Sequence, residues 1–150
     1  MILNRQRRVP ISVNLLRTFI TRARRTLRLP PQSFTVCLVT EAKIAQWNRL
    51  YRGKPCATDV LSFPAEAPAA KITRPAMRRP GKRAGLYLGD IAIAPSVARR
   101  NARRFGRTFN DEMRILILHG ILHLMGYDHE TDTGQMDRRE QRLRRALGLA

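Results

Sequence analysis

The three histidines of the chain lie within one eleven-residue segment, HGILHLMGYDH, and are its residues best suited to chemistry. His119 and His123 are four positions apart, so on a helix both side chains leave one face, with Cβ atoms about 6 Å apart. Gly126 can end that helix in a left-handed conformation and turn the chain, so that His129 comes back towards the first two. Three neutral imidazoles would then converge on one divalent metal ion, for which zinc is the best candidate.

The predicted ligand set favours a catalytic metal over a structural one. A histidine alone on an apolar helix is more often a hydrogen-bonded core residue. Burying two imidazoles on one face is costly, however, unless something binds their lone pairs. Three protein ligands leave the fourth tetrahedral position open, whereas structural zinc sites usually fill all four. Zinc lowers the pKa of its water ligand from about 15.7 to about 7, which suits hydrolysis at cellular pH.

The elements that must position these histidines follow from hydrophobic spacing. The pattern predicts one α+β domain over residues 1–150, a small mixed sheet of three to four strands packed with about five helices. The buried central helix, apolar on nearly every face, carries the HxxxH pair. The predicted helices are a first amphipathic one with Leu16, Phe19, Ile20, Ala23 and Leu27 on one face, then 41–50, 95–105, 110–125 and 134–147. The predicted strands are 34–39, 59–63 and 86–94, with loops at 51–58 and 65–85, the second basic and mobile.

The charge balance predicts a polyanionic partner. Lys and Arg total 29 against 11 Asp and Glu, a formal net charge of +18. Arginine suits phosphate because its planar fork donates two parallel hydrogen bonds, so nucleic acid is the expected partner class. The arginines at 99–104 and 138–145 would hold its backbone without reading sequence. The alternative is that the charge keeps a small protein soluble or reflects a GC-rich genome, each basic helix then presenting a solvated face.

Cysteine content and hydropathy predict a soluble cytoplasmic protein. The two cysteines form no CxxC pair, and no apolar stretch approaches the about 20 residues needed to cross a membrane. The N-terminus lacks the apolar core of a secretory signal. An organellar transit peptide, suggested by the absence of acidic residues before Glu41, is the weaker interpretation of that segment.

The spacing HxxxHxxGxxH is also that of metzincin metalloproteases. In those enzymes Glu follows the first histidine and acts as general base. Here Gly120 stands at that position. A peptidase using this site would lack its proton shuttle, so a metalloprotease is the less favoured alternative.

Three blocks of the chain resemble the YbeY family of bacterial ribosomal RNA maturation factors, which are metal-dependent, single-strand-specific endoribonucleases. HGILHLMGYDH at 119–129 is similar to the family signature, including the glycine at 120. YRGKPCATDVLSFPAE at 51–66 resembles its second block and LGDIAIA at 88–94 its third. The sequence departs from the family in a less polar Pro55-Cys56-Ala57 stretch, a longer basic loop and a more basic composition.

The resemblance implies an α+β fold, one Zn²⁺ held by His119, His123 and His129, and cleavage of ribosomal RNA in small-subunit 3′-end maturation and ribosome quality control. It also implies small ribosomal subunit proteins and an assembly GTPase as partners. Arg52 falls on an arginine that the family places beside the metal, where it could stabilise charge on a phosphate oxygen. Asp128 could orient a ligand. Whether water or the RNA 2′-hydroxyl attacks stays open, as does a non-enzymatic RNA-binding assembly factor with a structural metal.

Overall fold

The computed structural model describes residues 1–65, 87–128 and 130–149. Its strands are β1 (Ile2–Asn4), β2 (Phe34–Leu38), β3 (Val60–Pro64) and β4 (Gly89–Ile93). Its helices are α1 (Val13–Thr26), α2 (Glu41–Arg52), α3 (Pro95–Arg104), α4 (Phe109–Leu124) and α5 (Gln135–Ala146). The predicted α+β class is confirmed. Apart from Ala65, the basic loop predicted at 65–85 lies outside the described residues. Within the described ranges, no helix is long and apolar enough to cross a membrane.

The four strands form one mixed sheet in the order β1-β2-β4-β3. β2 runs parallel to both β1 and β4, and β3 pairs antiparallel with β4. β1 was not predicted, because three residues are too few to show strand alternation. What holds it is pairing with β2, including hydrogen bonds from Val36 N–H to the Met1 carbonyl and from Arg5 N–H to the Leu38 carbonyl.

Both faces of the sheet are covered, because successive side chains of a strand point to opposite sides. Ile91 and Ile93 of β4 pack into the larger core with α1, α4 and α5. Ala92 and Ala94 pack into a smaller core with Ile44 of α2. The predicted apolar face of α1 is buried as well. The histidine helix therefore lies on one face of the sheet and α2 on the other.

α4 is the buried central helix that the sequence predicts. Thr108 caps its N-terminus, because the Thr108 side-chain oxygen accepts a hydrogen bond from Asp111 N–H at 3.1 Å. The carboxylate of Glu112, in the first turn, is buried and bonds to Arg107 Nη1 at 3.0 Å. Ten of its residues are buried: Glu112, Met113, Ile115, Leu116, Ile117, Leu118, Gly120, Ile121, Leu122 and Leu124.

Two local predictions are corrected by the packing. The loop predicted at 51–58 starts at residue 53 in the structure, two residues later than predicted. α2 continues to Arg52 and is capped by Gly53, whose φ of +68° is left-handed. Helical spacing predicts that the five arginines of α5 face outward, but Arg144 is 8% exposed. It lies on the side of the helix that carries Leu143 and meets the core.

Candidate metal centre

The two helical histidines converge through their Nε2 atoms. His119 and His123 lie in the last turns of α4, and their Nε2 atoms are 3.1 Å apart. Two nitrogen ligands at 2.0–2.1 Å from a tetrahedral zinc ion would be about 3.3 Å apart. The observed separation therefore fits a pair of ligands to one ion.

A carboxylate that the sequence did not single out supports the first histidine. Glu140 of α5 places Oε1 2.9 Å from His119 Nδ1, on the opposite side of the ring from Nε2. The two residues are 21 positions apart, a separation that is not typical of any metal-binding motif. The only signal in the sequence was an acidic residue among the arginines of α5, which by itself indicates an ordinary ion pair.

The end of α4 turns the chain as predicted. Gly126 has a φ of +101°, the left-handed region in which side chains other than glycine are strained. Its N–H donates to the His123 carbonyl at 3.0 Å, and Tyr127 N–H donates to the Leu122 carbonyl at 3.1 Å. These two bonds close the helix, so the chain leaves α4 immediately after the histidine pair.

Hydrogen bonds to Asp128 hold the segment that follows. Its carboxylate accepts a hydrogen bond from Glu130 N–H at 3.0 Å, and its carbonyl accepts one from Asp132 N–H at 3.0 Å. The third predicted ligand, His129, lies between these anchors and outside the described residues. Over the described part of the chain, no group of three His, Cys, Asp or Glu side chains that could hold a metal is found. The ligand role of His129 stays a prediction.

Arg52 lies beside this same turn. Its Nη2 is 3.5 Å from Glu130 Oε1, and the two side chains are 41% and 62% exposed. Such an exposed pair contributes at most about 1 kcal/mol to stability. The ion pair matters for position and not for stability, because it places Arg52, the last residue of α2, next to Glu130, which follows His129 in the chain. The preceding residue, Tyr51, packs on Phe63 of β3 with ring centroids 4.8 Å apart.

Gly120, the residue after the first histidine, faces the sheet. A Cβ added at Gly120 would lie 2.8 Å from Ile91 Cγ2, closer than real Cβ contacts allow. Ser62 of β3 also reaches this turn of α4, where its hydroxyl donates to the Gly120 carbonyl at 3.2 Å. Gly120 stands where a metzincin protease has its glutamate, and any side chain at this position would crowd Ile91.

Comparison with known proteins gives matches over nearly the whole chain. The sequence profile of the family described as Endoribonuclease YbeY matches residues 1–148. The chain is 39% identical to Endoribonuclease YbeY of Nautilia profundicola over 121 residues, 81% of this chain and 76% of that protein. It is 37% identical to the Koribacter versatilis protein of the same name over 149 residues, 99% and 86% of the two chains. The solution structure of TM1509 from Thermotoga maritima is similar, with a TM-score of 0.60 and 26% identity, covering 98% of this chain and 89% of that one.

Proposed function

Because the chain belongs to the YbeY family of endoribonucleases, we propose that it is a metal-dependent endoribonuclease that cuts single-stranded RNA. The observation that carries the proposal is the 3.1 Å approach of His119 Nε2 and His123 Nε2 on one face of α4. Ribosomal RNA is the proposed substrate, in small-subunit maturation and ribosome quality control. Small-subunit proteins and an assembly GTPase are proposed partners.

The proposed metal ligands are His119, His123 and His129. Nitrogen donors of this kind suit zinc, which is the proposed ion. When bound, the metal would supply Lewis-acid polarisation of a phosphoryl oxygen. Within α4 the first two histidines are held on one face of the helix, and Gly126 turns the chain three residues before the third.

Arg52 is the proposed contact to the reacting phosphate. Its guanidinium lies beside Glu130, the residue after His129 in the chain, and is partly exposed, so RNA can reach it. A guanidinium can donate two parallel hydrogen bonds to phosphate oxygens and stabilise charge that develops on them. Glu130 holds Arg52 only weakly in the free protein, and a phosphate can take its place.

The proposal is tested by cleavage of a labelled single-stranded RNA before and after chelation, with zinc then restored. We expect cutting by the untreated protein, loss of cutting with chelator, recovery with zinc, and little cutting of the same RNA annealed to its complement. Cutting that persists after complete metal removal would contradict metal dependence. A protein that never cuts and unfolds when chelated would instead be an RNA-binding assembly factor with a structural metal.

Affinity for RNA should depend steeply on salt through the arginines of α5. Arg138, Arg142 and Arg145 are exposed and lie along one side of that helix, which reaches the metal centre through Glu140. Each phosphate neutralised on a single strand adds about 0.7 to the slope of log affinity against log salt. Replacing all three by Gln should lower the slope by about 2, measured by fluorescence anisotropy between about 50 and 200 mM salt.

The control for this prediction is a triple variant with the same loss of charge on α1, Arg17, Arg22 and Arg25 to Gln. These residues are also exposed. If both triple variants reduce the slope equally, binding depends on overall charge and not on the α5 surface. If neither does, the α5 arginines are a solvated helix face.

A further inference from the structure

Glu140 and His119 form a contact that no catalytic step proposed above uses. Glu140 Oε1 lies 2.9 Å from His119 Nδ1, and the two side chains are 13% and 29% exposed. Because the carboxylate is largely removed from water, its bond to the ring is stronger than one at a fully exposed position. α5 thereby reaches the histidine pair of α4 through a specific polar bond.

The bond determines which ring nitrogen of His119 carries the proton. A neutral imidazole carries one N–H, and an ionised carboxylate can only accept a hydrogen bond. With Glu140 at Nδ1, the proton of neutral His119 belongs on that nitrogen and the lone pair belongs on Nε2. That lone pair points towards His123 Nε2, 3.1 Å away, which is where a metal would bind.

Glu140 is held in place by the packing of α5. Met136 and Leu143 of α5 are buried in the larger core. Arg144, itself 8% exposed, has Nη1 4.0 Å from Glu140 Oε2 and supplies a counter-charge. The start of the helix is fixed by Asp132, whose carboxylate accepts hydrogen bonds from Gly134 N–H at 2.9 Å and Met136 N–H at 2.8 Å. The carboxylate is therefore preorganised before any metal arrives.

We infer that Glu140 is a positioning residue for the metal centre, which sets the tautomer and ring orientation of His119 through the bond to Nδ1. The inference rests on the proposed metal site and adds to it a residue that does not ligate the ion. Groups in this position raise the basicity of the histidine ligand, and their loss typically costs about 10- to 100-fold in metal affinity.

The first test is a zinc titration of the full chain in competition with a chromophoric chelator. Glu140→Ala should weaken zinc binding by about 10- to 100-fold, and Glu140→Gln, which can still accept a hydrogen bond but lacks the charge, should weaken it less. Asp137→Asn is the matched control, because Asp137 is an exposed carboxylate on the same helix. It removes the same charge as Glu140→Gln and should change affinity less than about twofold, well under the loss expected from a histidine-supporting carboxylate.

The second test reads the tautomer directly, by ¹⁵N NMR of the His119 ring in metal-free protein at a pH where the ring is neutral. We expect the Nδ1–H form in wild type and in Asp137→Asn, and a mixture of both tautomers in Glu140→Gln. A residue that only packs α5 against the core would leave the tautomer unchanged. Thermal unfolding of the metal-free variants shows whether a loss of zinc binding comes from a loss of the fold. If Glu140→Ala does not fold, Glu140→Gln is used in both tests.

The outcomes separate this inference from the proposed function. If wild type binds no zinc, the proposed metal site fails, while the tautomer measurement still tests the bond. If wild type binds zinc and both Glu140 variants bind it equally well with the His119 tautomer unchanged, the positioning role is wrong and the metal site stands.

Discussion

Replacing Arg52 with alanine should lower the rate of RNA cleavage by about 10²- to 10³-fold, the usual effect of removing one donor that stabilises developing charge. The metal content should stay at the wild-type value, because the proposed ligands are untouched. The fold should persist too, since the side chain is 41% exposed and its ion pair with Glu130 is weak. Single-turnover cleavage of a labelled single-stranded RNA, with zinc measured on the same samples, is the test.

Three other variants make that result specific. Arg49→Ala removes an exposed arginine one turn earlier on α2 and should cut like wild type. Glu130→Gln removes the ion pair but keeps Arg52, and should cut within about twofold of wild type, as expected for an exposed pair of little energetic value. His123→Ala should lose both zinc and cutting. If Arg52→Ala cuts as well as Arg49→Ala does, Arg52 is a solvated arginine with no role in the chemistry.

Replacing Gly120 with glutamate, which completes the metzincin motif, should strongly destabilise the fold instead of making a peptidase. The new Cβ would lie 2.8 Å from Ile91 Cγ2, and Ile91 is 0% exposed. Overpacking of this kind costs about 1–3 kcal/mol. An unpaired carboxylate in the core adds several kcal/mol more. The total, above about 4 kcal/mol, approaches the 5–15 kcal/mol that typically holds a domain together.

Urea unfolding followed by circular dichroism measures this loss. Asn110→Glu is the control, because it makes the same change of charge at an exposed position of α4, near the helix N-terminus where an acidic residue is favourable. Gly120→Ala should fall between the two, with a net loss of about 1 kcal/mol, since better helix propensity offsets part of the crowding. A folded Gly120→Glu protein that cleaves casein, and stops when chelated, would revive the protease interpretation.

Most helices and strands could be predicted because their signals are local. The spacing of Leu16, Phe19, Ile20 and Ala23 predicts an amphipathic helix, and all four are buried in α1. The sequence predicts α4 as the central helix because apolar residues cover nearly every face of it, which leaves no polar face for solvent. β1 was missed because its pairing with β2, which joins Ile2 to Val36 and Asn4 to Leu38, is a contact between distant parts of the chain.

By itself the sequence determined the HxxxH pair and the turn after it, because helical spacing and the conformational freedom of Gly126 act within a few residues. The tertiary structure alone decided the long-range contacts of this part of the chain. Glu140 meets His119 across 21 residues and Arg52 meets Glu130 across 78, and Gly120 is required by its contact with Ile91 of the sheet. These contacts depend on which helix face packs against which neighbour. That choice is made by the burial of the whole core, which no local pattern encodes.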